Sequence, residues 1–82
     1  METIRLIIVE HKTPNRIYGS FTLEQWVGDK RTANSSHGEF YSKDPLARPF
    51  LLGNARTEAQ KVASTLRETG ATVEISEQIF ED

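Results

Sequence analysis

Thr57-Glu-Ala-Gln-Lys-Val-Ala-Ser-Thr-Leu-Arg-Glu-Thr-Gly-Ala-Thr-Val-Glu-Ile-Ser76 reads as a capped helix, a stop and a strand. Thr57 followed by Gln60 has the spacing of a capping box, in which the hydroxyl accepts from a first-turn amide and the glutamine reaches back to the Thr57 backbone. Glu58 and Arg67 carry the charges that suit the positive and negative ends of a helix dipole. Ala59, Val62, Ala63 and Leu66 make one apolar stripe at i, i+3, i+4 and i+7. Because the stripe consists mostly of small side chains, it predicts a helix over about 57–69 lying close against a sheet. Gly70 suits the left-handed position just past a helix end. Val73 and Ile75 then alternate with Thr72, Glu74 and Ser76, the pattern of a half-buried strand.

Working outward, Phe50-Leu51-Leu52 reads as the strand entering this helix, and Gly53-Asn54-Ala55-Arg56-Thr57 as a plain strand-to-helix connection, favoured over an anion site built from the free amides and Arg56. Thr3 to Glu10 is rich in β-branched residues. Ile4, Leu6 and Ile8 take one face, and Arg5, Ile7 and Val9 take another that is still largely apolar, which predicts a central strand. His11 to Asn15 is turn chemistry around Pro14, and Arg16 to Phe21 reads as the returning strand of a hairpin. Thr22 with Gln25 permits a short helix over 22–27. Phe21, Leu23, Gln25 and Val27 also alternate, and Gly28-Asp29 follows so soon that a strand is favoured. Lys30 to His37 lacks apolar periodicity and is expected as an exposed, mobile loop. Gly38 to Ser42 offers a short strand, and Lys43 to Pro49, with two prolines, a connector that opposes regular structure.

The chain's 82 residues suit one domain over 1–82, with 77–82 as an acidic, frayed tail. With no cysteine, disulfides and thiolate chemistry are excluded, and a reducing compartment is natural. The start, Met1 to Arg5, is not a basic leader, and no stretch approaches the roughly 20 apolar residues of a membrane span. The expectation is a cytoplasmic protein with no membrane contact. Residues 1–48 hold seven Lys or Arg against six Asp or Glu, whereas residues 49–82 hold three against six. A formal charge of −2 argues against a dedicated nucleic-acid binder, which needs a basic footprint.

Catalytic and metal chemistry find little to build on. His11 and His37 stand in no metal-ligand spacing, and the pattern implies no cofactor. His37 and Glu39 fall on one face of a strand, yet no nucleophile accompanies them. The denser cluster is aromatic and basic: Arg16, Tyr18, Phe21, Trp26, Lys30, Arg31, Phe40, Tyr41, Lys43 and Arg48. An aromatic surface with a cationic rim is what protein interfaces use as anchors and what single-stranded nucleic-acid binders use for stacking. The same residues also suit the completion of a small core.

The segment from Pro49 to Ser76 resembles the closing helix and strand of the ribosomal stalk protein's C-terminal domain, through its helix–Gly-Ala-x-Val-Glu run. With Gly19-Ser20-Phe21 it also resembles half of a SPOR domain, and a small phycobilisome linker has a similar layout. The three are mutually exclusive on one segment, so no functional residue is carried over from any of them. The architecture expected is α+β: an antiparallel-leaning sheet of four to five strands with one principal helix on one face. The role expected is a non-catalytic binding or regulatory module docking onto a larger protein through Tyr18, Trp26, Lys30, Arg31, His37 and Tyr41. A compact chain of this kind suits an inhibitor or accessory factor, a phage-encoded one included. Single-stranded nucleic-acid binding through the same face is the alternative, and strand-edge homodimerisation is compatible with both.

Overall fold

The computed structural model describes residues 3–12, 20–31, 39–42 and 44–81. Its elements are β1 (Thr3–Lys12), β2 (Ser20–Val27), β3 (Lys30–Arg31), β4 (Glu39–Tyr41), a 3₁₀ turn (Pro45–Ala47), α1 (Arg48–Glu68) and β5 (Thr72–Glu81). Together they form a small α+β domain with one helix on one mixed, mostly antiparallel sheet that is four strands wide. β1 lies between β2, antiparallel to it, and β5, parallel to it. β3 and β4 share the outer edge of β2 at its two ends, opposite Trp26–Val27 and Ser20–Thr22.

The alternation in β1 places Leu6 and Ile8 beneath α1 with Phe21, Leu23 and Val73. Ile7 and Val9, on the other face, are also buried, as the doubly apolar pattern of a central strand requires. The helix contributes Leu51, Ala55, Ala59 and Ala63, a buried row with a period of four. Three alanines in that row let the backbone approach the sheet closely, so enlarging any of them overpacks the interface. Gly70 is left-handed, with φ of 92°. Its amide bonds the Arg67 carbonyl and the Ala71 amide bonds the Leu66 carbonyl, a Schellman ending that returns the chain to β5.

Several expectations are corrected. Phe50–Leu52 is not a strand and Gly53–Thr57 is not a connection, because α1 begins at Arg48. Pro49 sits in the first turn, where a missing N–H costs nothing. The 3₁₀ turn before it is capped by Asp44, whose carboxylate accepts from the Leu46 amide, so 43–49 is not irregular throughout. Thr57 caps nothing: its hydroxyl donates to the Gly53 carbonyl one turn back, inside the helix. Residues 77–81, expected as a tail, are the second half of β5 and stay in register with β1. Residues 22–27 are strand, as favoured, and are continuous with Ser20 and Phe21 of the returning strand in β2. Lys30 and Arg31 belong to β3 rather than to a loop. His11 and Lys12, expected to open the turn, end β1 instead, still in register with β5; the rest of that turn at 13–15, strand residues 16–19 and loop residues 32–37 lie outside the described residues.

Candidate functional site

The two edges of the sheet are unlike. The β2 edge is covered by two short pieces, β3 and β4. β5 forms the other edge. It has ten residues, no proline, and unbroken register with β1 from Thr3↔Thr72 to Lys12↔Glu81. Among the described residues no strand pairs with its outer side. Natural proteins usually shorten, bulge or interrupt such an edge, because its free amides and carbonyls template pairing with another chain.

Beside this edge lies a hollow of about 340 Å³. It exists because α1 crosses the sheet obliquely. At its start, the Arg48 guanidinium carbon stands 5.7 Å from the Phe21 ring centre on β2, and at its end Arg67 donates to the Val73 carbonyl on β5. The far corner of β1 and β5 is left uncovered. Ile8, Phe21, Leu52 and Ile79 supply apolar walls, and Glu10 and Arg48 a polar end. Ile79 and its neighbour Phe80 remain 58% and 51% exposed.

Glu10 is only 6% exposed. It occupies the phase of Leu6 and Ile8, so the strand directs a carboxylate onto the helix-covered face. Arg48 meets it with a bidentate fork, Nε to Oε2 at 2.6 Å and Nη2 to Oε1 at 2.8 Å. Those hydrogen bonds hold the Glu10 carboxyl below its ordinary pKa against the opposing effect of burial, with the Arg48 and Lys12 charges assisting. Reciprocally, they push the Arg48 guanidinium further towards its protonated form. At the rim, Arg56 forks onto Glu77 at 3.0 and 3.1 Å.

The face without a helix is tied together by polar contacts. Glu24 accepts from the Trp26 indole at 3.1 Å and from Arg31 at 3.0 Å. His11 shares a 2.8 Å hydrogen bond with the Thr22 hydroxyl, and its ring centre lies 5.8 Å from that of Phe80. Arg5 donates to the Gly28 carbonyl. Among the described residues no three His, Asp or Glu side chains converge on a metal site, and no helix is long and apolar enough to cross a membrane.

Of the residues singled out from sequence, the structure brings together Trp26, Lys30 and Arg31. Trp26 is half-buried, and Lys30 and Arg31 lie exposed beside it on β3. Tyr41 pairs with Ser20 at the opposite end of β2. Tyr18 and His37 lie outside the described residues, as do the side chains of Tyr41 and Glu39. Sequence reasoning missed Glu10 and Ile79, and counted Arg48 only among the cations of the aromatic cluster. Glu10 did leave a signal, as a charge in the apolar phase of a central strand, which requires a buried cation nearby. Comparison of the chain with protein-family models, with curated proteins and with solved structures finds no match in any of the three.

Proposed function

We propose that this chain is a small non-catalytic binding module that docks onto a larger protein by accepting one of its extended segments alongside β5. The observation that carries the reading is the regular ten-residue edge, which has no partner strand among the described residues, where the opposite edge carries two short strands. Strand addition draws affinity from main-chain hydrogen bonds along such an edge and takes specificity from alternate side chains. The docking role expected from the sequence is kept, and the contact surface moves from the Trp26 end to β5.

Nucleic-acid binding is less well supported. The Trp26 N–H and the Arg31 guanidinium both serve Glu24, whose carboxylate offsets the cation that a phosphate would need there. The test is a photoreactive phenylalanine analogue placed at Ser76 on β5 or at Lys30 on β3, irradiated in the host lysate. A protein adduct from position 76 and none from position 30 is expected. An adduct from position 30 alone, or nucleic acid at either position, would overturn the proposal.

A further inference from the structure

We infer that the hollow beside β5 is a specificity pocket that seats one large apolar side chain of the docked segment, and that this segment is basic. The inference rests on the docking reading above and adds the chemistry of the partner. A strand paired with β5 alternates its side chains between the two faces of the sheet. Those on the helix side arrive over the corner that α1 leaves bare, against Ile8, Phe21, Leu52 and Ile79. About 340 Å³ lies at the lower end of small-ligand pockets, which span about 300–1,000 Å³, and has room for a single large side chain. Glu10 does not repel such an occupant, because both of its oxygens are already engaged by Arg48.

The charge of the partner follows from the edge itself. Glu74, Glu77 and Glu81 lie along β5, Asp82 follows, and no Lys or Arg occurs after Arg67. Arg56 pairs with Glu77, and Arg5 and Lys12 of β1 stand opposite Glu74 and Glu81 in the register, so the cations lie inward of an edge strand that itself carries only carboxylates. Two copies of β5 paired antiparallel about Glu77, or parallel in register, would set like carboxylates opposite each other, which disfavours self-pairing in those registers. The same carboxylates attract a strand bearing Lys or Arg and speed its encounter.

The probe is a displayed library of random linear peptides, selected on the whole chain. Enriched sequences are expected to hold a large apolar residue flanked by Lys or Arg at alternate positions. By fluorescence anisotropy, Leu52→Trp, which fills the hollow, and Ile79→Lys, at an exposed position, should each weaken the selected peptides by about tenfold. Glu77→Lys should weaken them by about two- to threefold, and more at low salt. Trp26→Phe should change nothing, and circular dichroism confirms that each variant is folded. Selected peptides that bind at β5 with no apolar preference and full affinity for Leu52→Trp would overturn the pocket while leaving the docking reading intact. A library yielding no β5-directed peptide, or a concentration-dependent dimer blocked by Glu77→Lys, would overturn both the basic partner and its pocket.

Discussion

Replacing Arg48 with methionine strands the Glu10 carboxylate, and the size of the penalty can be bracketed. Hydrogen bonds to charged groups are worth about 1.5–3 kcal/mol each, and here two are made by one fork, so they do not simply add. Breaking a fully buried pair costs about 3–5 kcal/mol, and an exposed pair about 0–1. The Glu10 side chain is 8% exposed and that of Arg48 is 48% exposed, which places the pair between these limits. Two smaller effects nearly cancel: loss of the cation–π contact with Phe21 costs about 0.5–1 kcal/mol, and removing a cation from a helix N-terminus returns about 0.3–1. The expected net loss is about 2 kcal/mol, or about 8–16 °C in Tm for a domain of this size.

The dependence on pH carries the more diagnostic signature. In the native chain the Glu10 pKa is depressed by Arg48. The pair's contribution is therefore present above the unfolded value, about 4.3, and is lost as pH falls through the folded one. Without Arg48, burial acts almost unopposed and raises the Glu10 pKa, so protonation stabilises the variant. The gap between the two proteins should be widest near neutrality and close towards acid. Urea unfolding followed by circular dichroism at neutral pH and near pH 4 measures it. Glu10→Gln in the Arg48→Met background should recover about 1 kcal/mol at neutral pH by removing the stranded charge. A loss under about 0.5 kcal/mol that does not vary with pH would refute the buried pair.

Other substitutions probe the rest of the architecture. Gly53→Ala should stabilise by about 0.5–1 kcal/mol, because the glycine lies within α1 and an added Cβ meets nothing within 4 Å. Gly70→Ala should destabilise by at least about 1 kcal/mol, because its φ of 92° strains any residue with a Cβ. Equal signs for these two in thermal unfolding would contradict the helix boundaries. Ala59→Leu should cost about 1–3 kcal/mol by forcing α1 away from the sheet, read from the urea midpoint. Glu24→Ala should shift the Trp26 fluorescence maximum and cost about 1 kcal/mol by unpairing a part-buried indole N–H.

Part of this fold is legible in the sequence because local chemistry and tertiary packing agree. The double apolar phase of Ile4–Val9 announces a central strand, and Leu66 to Ala71 carries a complete stop signal. The N-terminal half of α1 is misread because the local signals conflict with packing. Gly53 resembles a breaker and Thr57 a cap, yet the row Leu51, Ala55, Ala59 and Ala63 runs in phase through both. Burial of that row outweighs the roughly 1 kcal/mol propensity cost of a glycine. The second half of β5 was hidden by charge: Glu77 and Glu81 look like tail residues until Arg56 and the parallel ladder to β1 are seen. The hollow was not legible at all, since it depends on the oblique path of α1 and on residues far apart in the chain. Glu10 was its one local trace.

Amide hydrogen exchange tests the central claim most directly, measured residue by residue with and without a saturating selected peptide. Docking alongside β5 predicts that alternate amides from Thr72 to Glu81, those facing away from β1, exchange quickly in the free protein and slow on binding, while Trp26 to Arg31 is unchanged. Protection confined to Trp26–Arg31, with β5 unaffected, would contradict the account.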